Sequence, residues 1–323
     1  MNTLNKKSIT KNHPLWGTFF ALLGLVPLGF SLQLYAQPSV RAEANTPNAW
    51  RYTGGIKYTG IDYKSSISRK DASETGLIFD ADKAQQGGVG GGIARSTVNY
   101  NNGTPKLNQT NYNLSGRMYQ RDNITGGRVI YRLDYLRADN NDPTRLTDDV
   151  KVWAPKLGLL TSKGNLFVDL EYARSSYQGG LRVKQLVPTV SFGMNNSYDW
   201  ISLRPYLIRV SDSTRAMGKH ATNGLDATWT HYIDKGTSPW MPSNFSLGAF
   251  LGSRIYAVNT DTGGISNLAH LNKNGINAGV NWKLMRDTNI GLYAGTAQYA
   301  EPGIGSNQSY RTTYGNVTLT TNF

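Results

Sequence analysis

The chain has 323 residues, no cysteine, and 34 Lys and Arg against 21 Asp and Glu, a formal charge of +13. Without cysteine it has no disulfide, no thiol nucleophile and no Cys-ligated zinc. The basic residues are scattered rather than clustered, which argues against nucleic acid as a partner.

The first segment reads as an export signal. Lys6, Lys7 and Lys11 precede an apolar stretch from Leu15 to about Ala36, and small residues at Ala36, Ala42 and Ala44 offer cleavage points. We take 1–42 as the signal peptide and 43–323 as the mature domain, which removes three lysines and leaves 13 − 3 = +10, or +9 if Arg41 also leaves. No later segment approaches the ~18 consecutive apolar residues of a membrane helix. A membrane crossing there must use strands, whose alternation is compatible with a mean hydropathy of −0.44.

Alternating segments then recur, separated by turns rich in Asn, Asp, Gly, Ser and Thr. Strands are expected at 50–63 (Trp50, Tyr52, Ile56 and Tyr58 on one face), 88–101 (glycine-rich), 109–120, 126–137, 149–161 (carrying Val150 and Val152), 165–175 and 182–194. Further strands are expected at 199–211, 223–233, 244–257, 275–285, 288–299 and 309–323. Working back from Phe323, short links fall at 121–125, 162–164, 195–198 and 286–287, the periplasmic side. Long links at 64–87, 138–148, 212–222 and 258–274 fall on the other. The alternation demands one more strand within 64–87, and Thr75–Asp80 is the candidate. That makes fourteen strands; twelve is the alternative if 45–87 lies outside the wall. Pro155, Pro188 and Pro205 predict bulges or strand ends, and 199–211 changes phase near Pro205.

The last strand carries the clearest pattern. Val317, Leu319 and Phe323 share one parity, while Asn316, Thr318, Thr320 and Asn322 share the other. A strand ending on an aromatic residue resembles the end of bacterial outer-membrane β-barrels, and the resemblance covers nearly the whole mature chain. It implies a closed antiparallel transmembrane barrel in the outer membrane, in contact with lipid and lipopolysaccharide. It also implies delivery by barrel-assembly machinery, with Val317, Leu319 and Phe323 as the insertion signal. A secreted β-sandwich would alternate too, but aromatics at strand ends (Trp50, Tyr135, Tyr172, Trp229, Trp282) suit membrane interfaces better.

If the apolar parity faces lipid, the lumen receives Arg51, Lys57, Arg117, Arg128, Arg132, Lys151, Arg254 and Lys283, against Asp134, Asp169, Glu171 and Asp226. We single out Arg117, Arg128, Arg132, Asp134, Asp169, Glu171 and Lys283 as pore-lining. A basic lumen predicts porin-like diffusion of small hydrophilic, preferentially anionic solutes; wall-bracing pairs such as Arg132 with Asp134 are the plainer reading of any one residue. Two other functions remain open: a non-conducting barrel acting through its loops in polysaccharide export or partner binding, and a lipid-modifying enzyme. The enzyme would need His220 or His270 beside a serine, and no His-x-Ser pattern is present. Asp80-Ala-Asp82 and the run from Asn259 to Gly264 read as acidic turns rather than metal loops, since neither has EF-hand spacing. No catalytic residue, metal or cofactor is expected.

Overall fold

A computed structural model describes residues 49–101, 103–124, 126–233, 240–266, 269–302 and 308–323. The expected signal peptide lies outside the described residues. The mature chain is a closed antiparallel barrel of fourteen strands. In chain order they are β1 (Trp50–Lys64), β2 (Arg69–Lys83), β3 (Gly87–Tyr100), β4 (Leu107–Arg121), β5 (Arg128–Asn140), β6 (Val150–Leu160) and β7 (Leu166–Ser176). They continue with β8 (Arg182–Met194), β9 (Asp199–Val210), β10 (Ala221–Tyr232), β11 (Asn244–Gly252), β14 (Leu271–Lys283), β15 (Thr288–Glu301) and β16 (Gln308–Asn322). Two short strands, β12 (Val258–Asn259) and β13 (Gly264–Ile265), pair only with each other, inside the β11–β14 loop. Every wall strand pairs with its sequence neighbour, and β16 closes the ring on β1 from Thr53↔Asn322 to Lys64↔Arg311. Closure leaves no unpaired strand edge, which a lipid environment requires.

The wall follows from the period-two pattern. Ile56, Tyr58, Leu77, Leu114, Leu133, Leu170, Leu203, Leu247, Ile276, Leu292, Val317 and Leu319 all point outward and are exposed. They form the apolar belt of a membrane barrel. Trp50, Tyr52 and Phe323 prolong it at the periplasmic end, where the Phe323 N–H donates to the Tyr52 carbonyl at 2.8 Å. The segment 64–87 is mostly wall: Thr75–Asp80 is the middle of a full-length strand, which settles the count at fourteen.

Several expectations need correction. Pro155, Pro188 and Pro205 make no bulge. The β8–β9 ladder skips from Leu186↔Leu207 to Val190↔Leu203, and β6–β7 from Trp153↔Arg174 to Lys156↔Glu171, both without a change of register. The prolines sit in these gaps, where the missing N–H matters least. The phase change in 199–211 does not occur either. Ile201, Leu203, Pro205 and Leu207 keep facing out, while Tyr206, Ile208 and Val210 are buried because the lumen beside them is itself apolar. Val150 and Val152 likewise point inward, and Lys151 between them is on the outer face beside Asp149.

With strands ~4.8 Å apart and tilted ~40°, fourteen of them enclose a backbone radius of about 14 Å, too wide for wall side chains alone to fill. Two interior clusters occupy its extracellular half. Tyr63, Val98, Tyr100, Leu107, Tyr299, Tyr310 and Tyr314 form one against the β1–β4 and β15–β16 sector. The other packs Leu136, Val150, Val152, Val183, Tyr206 and Ile208 of β5–β9 against Ile255, Tyr256, Val258 and Ile265 of the β11–β14 loop.

Candidate functional site: a loop-constricted lumen

The β11–β14 connection does not project from the barrel; it turns in. Its residues explain why. Ile255, Ala257, Val258 and Ile265 are apolar and need burial, while Val258↔Ile265 and Asn259↔Gly264 satisfy each other as a small hairpin. The wall supplies the remaining backbone partners. The Gln185 amide donates to the Val258 carbonyl at 2.7 Å and accepts from the Val258 N–H at 3.0 Å, as a neighbouring strand would. Tyr256 packs edge-on against Tyr177, with ring centroids 5.2 Å apart, and its hydroxyl donates to the Arg215 carbonyl. Arg215 donates in turn to the carbonyls of Gln178 and Leu146, tying three extracellular loops over the hairpin.

The hairpin tip carries Asp261, and wall cations converge on it. Asp261 Oδ1 accepts from Arg132 Nη1 at 2.9 Å and Lys156 Nζ at 3.0 Å, and Oδ2 accepts from Arg204 Nη1 at 2.8 Å. Lys156 also reaches Glu171 Oε2 at 2.9 Å, which accepts from the Thr260 hydroxyl; Arg132 Nη2 contacts Asp134 Oδ1 at 2.8 Å. Burial alone would raise the Asp261 carboxyl. Lys156, Arg204 and Arg132 outweigh it and hold the group well below the usual carboxylate range. At the end of the tip, Gly263 has φ +68° and lies against Asn113 of β4; a Cβ there would fall on the Asn113 amide, so only glycine fits. The hairpin thus spans the lumen from the β5–β9 wall to β4.

The other side of the tip stays more open. The inward face of β3 is Gly88, Gly90, Gly92 and Ala94, nearly free of side chains. A Cβ on Gly90 would stand 2.6 Å from Asp80 Oδ2, so the strip is also closely packed against its neighbours. A cavity of about 50 Å³ lies between Asp261–Gly264 and Lys57, Glu74, Gly92, Asn111 and Asn113. Lys57 Nζ meets Glu74 at 2.8 Å, and Arg117 makes a two-pronged bond to Asp80 (2.7 and 2.6 Å) with Nε on Asp82 at 3.0 Å. These side chains keep 12–30% of their surface, whereas Lys156, Arg204, Glu171 and Asp261 keep 0–7%. Below the tip, Thr228, Asn277, Asn281, Asn316, Thr318 and Thr320 give the opposite sector a neutral polar lining.

The seven residues singled out as pore-lining have the inward parity, but in different situations. Arg132, Asp134 and Glu171 join the Asp261 cluster, and Asp169 lies opposite Thr189 in the ladder next to it. Arg117 stands across the lumen with Asp80 and Asp82. Arg128 lies over the Tyr119 ring at 5.0 Å, and Lys283 is exposed at the periplasmic rim. Lys151 is removed from the set, and Arg254 belongs to the start of the infolded loop, where it meets Asp226 at 2.9 Å. Asp80 and Asp82 lie in strand β2 rather than in the turn expected from sequence; Asp261 does lie in a turn, but all three are partners of lumenal cations. Above the rim, among the described residues, Lys57, Arg69, Arg117, Arg128, Arg132, Lys156, Arg204 and Arg254 face Glu74, Asp80, Asp82, Asp134, Asp169, Glu171, Asp226, Asp261 and Glu301, which gives 8 − 9 = −1. The basic excess of the chain lies elsewhere, much of it on the outer face.

The three described histidines lie apart from one another and from any serine partner. His270 Nε2 accepts from Arg69 Nη2 at 3.0 Å and its Nδ1–H donates to the Tyr310 hydroxyl at 2.9 Å. Burial, helped by Arg69, pushes its pKa well below the ordinary value, so it stays neutral. His220 is exposed on a different loop, and His231 pairs with Asp199 at the periplasmic end. No serine–histidine hydrogen bond is present among the described residues.

No protein-family model matches the chain, and comparison with curated proteins finds no match. Solved structures do match. The Pseudomonas putida toluene transporter TodX aligns over 86% of this chain and 90% of its own, with a TM-score of 0.52 and 9% identity. The monoaromatic hydrocarbon channel CymD aligns over 86% and 89%, with a TM-score of 0.51 and 9% identity. The fold is that of a bacterial outer-membrane β-barrel. At this identity the likeness is one of architecture, and together with the exposed apolar belt it places the chain in the outer membrane.

Proposed function

We propose that the barrel is an outer-membrane channel for passive diffusion of small hydrophilic solutes, constricted by its own β11–β14 loop. The observation that carries this reading is the asymmetry of the lumen. One sector is sealed by the Asp261 cluster, while the sector of Arg117, Asp80, Asp82 and the β3 glycines keeps accessible polar groups. A fourteen-strand wall is wide enough to conduct unless something fills it. The name of TodX as a toluene transporter and that of CymD as a hydrocarbon channel agree with transport as a use of this architecture.

The balance of eight inward cations against nine carboxylates among the described residues favours weak charge discrimination over the anion preference expected from the net charge. What bias remains would come from the exposed rim, where Lys283 has no ion pair among the described residues. Liposome swelling tests the reading. Vesicles carrying the folded barrel should admit small neutral sugars, and bilayers under a salt gradient should show a reversal potential near zero. A potential near that of an ideal anion electrode would contradict weak discrimination; absence of both swelling and conductance steps would contradict the channel.

A specific observation favours one alternative. The two aromatic and aliphatic clusters occupy the extracellular half of the lumen, as they would in a closed barrel acting through its loops. Silent bilayers together with a phenotype on loop deletion would select it.

A further inference from the structure

Three adjacent strands place three cations side by side on the outer wall. Arg174 of β7 is opposite Lys184 of β8, and Lys184 is opposite Arg209 of β9. All three have the outward parity and are exposed. None forms a salt bridge among the described residues. The cross-strand row that contains them reads Tyr135, Trp153, Arg174, Lys184, Arg209, Ala221, with no carboxylate. One row further out, Arg137 and Lys151 are neutralised by Asp139 and Asp149, and Arg182 adds a fourth cation with no salt bridge among the described residues. Like charges directly opposite in a ladder destabilise a sheet. A row of three therefore calls for an anion that the protein itself does not supply.

The height of the row narrows the anion. Directly inward along the same strands lies the apolar row Tyr172↔Leu186↔Leu207, followed by Leu170, Val190 and Leu203. From Leu166 to Arg174 is one membrane-spanning run of the ~9–11 residues a tilted strand needs. Arg174, Lys184 and Arg209 thus stand where acyl chains end and headgroups begin. Trp153, exposed, with its ring 4.7 Å from Tyr135, marks the same interface. The 177–181 and 211–220 connections next to the row are on the side opposite the periplasmic turns, which makes this the outer leaflet. Strands ~4.8 Å apart put the two arginines roughly 10 Å from each other, so one phosphate above Lys184 is within reach of both guanidinium forks.

We propose that Arg174, Lys184 and Arg209, with Arg182 above them, form a binding site for a phosphate of outer-leaflet lipopolysaccharide. The site rests on the membrane placement of the barrel and is independent of conduction. The test compares intact protein with the triple variant R174Q/K184Q/R209Q and with K163Q, which alters an exposed turn at the periplasmic end. Each is extracted in mild detergent, checked for folding by its heat-modifiable gel shift, and examined by native mass spectrometry for retained lipid. Titrations with diphosphorylated lipid A, dephosphorylated lipid A, phosphatidylglycerol and inorganic phosphate follow. Intact protein and K163Q should retain lipopolysaccharide and prefer the diphosphorylated form. The folded triple variant should lose on the order of tenfold or more in affinity, because each charged hydrogen bond removed is worth about that factor. Equal retention by the triple variant, equal binding of dephosphorylated lipid A, or equal binding of phosphatidylglycerol would each overturn the proposal. So would saturation by inorganic phosphate alone.

Discussion

Removal of the Asp261 carboxylate tests what holds the constriction in place. In Asp261→Ala, Arg132, Lys156 and Arg204 lose an acceptor at 2.8–3.0 Å. Deleting one partner of a buried ion pair costs about 3–5 kcal/mol. Here Asp134 still serves Arg132 and Glu171 still serves Lys156, so Arg204 alone is left without an ion pair, and the lower figure of about 3 kcal/mol applies. The apolar contribution is larger. Ile255, Tyr256, Val258 and Ile265 are each 1% exposed or less. At ~1.5–3 kcal/mol per buried side chain they hold the hairpin by roughly 6–12 kcal/mol before entropy is counted. The variant should therefore free the tip around 260–264 and leave the hairpin base in the lumen. Single-channel recording should show the same mean conductance within about twofold, with added open-channel noise from a tip whose restraint has weakened by two orders of magnitude or so. A stable several-fold rise in conductance would mean that the whole loop swings out and that electrostatics outranks burial. Unaltered noise together with an unaltered heat-unfolding temperature would mean that Asp261 restrains nothing.

Three further outcomes follow from the same geometry. Because the folded-state pKa of Asp261 is depressed, its stabilisation is complete above the ordinary carboxylate range and is lost only as pH falls through the lowered value. The difference in channel noise between intact protein and Asp261→Ala should therefore be the same at pH 8 and pH 5, and a difference that disappears on going from pH 8 to pH 5 would contradict the ion cluster. Gly90→Val would drive a side chain into Asp80, 2.6 Å from the Cβ position, and displace it from Arg117; overpacking of this kind costs ~1–3 kcal/mol and should lower the temperature at which the gel shift is lost. Deleting Phe323 removes its N–H bond to Tyr52 and an exposed apolar anchor at the periplasmic end of the belt. The folded fraction in the outer membrane should fall while purified, folded barrel conducts normally; undiminished assembly would remove Phe323 from the insertion signal.

The wall was legible in the sequence because one force, lipid contact, acts on every strand. Val129, Tyr131, Leu133 and Tyr135 on β5, or Val317 and Leu319 on β16, can only be read one way. Legibility failed where a second apolar environment faces the first. On β9, inward Tyr206, Ile208 and Val210 pack on the infolded loop, so Pro205 looked like a change of phase and Arg204 was overlooked. On β6 the same effect turned Val150 and Val152 inward, sent Lys151 out, and hid Lys156. Asp261 was missed for another reason. A short polar turn between Val258 and Ile265 carries no sign of the long-range cations that receive it. The one available signal was the pair of branched apolar residues flanking a turn, in a loop otherwise expected to be solvated. The net charge misled because it counts Arg174, Lys184 and Arg209 with the lumen, although strand parity sets them on the opposite face.

The most direct test of the loop-constricted channel is the conductance of a barrel in which residues 255–266 are replaced by a short Gly-Ser linker, recorded beside the intact protein under the same salt. Intact protein should give small, regular steps and the replaced form steps several-fold larger, with the gel shift confirming that both barrels are closed. Equal conductance in the two, or silence in both, would contradict a lumen whose passage is set by this loop.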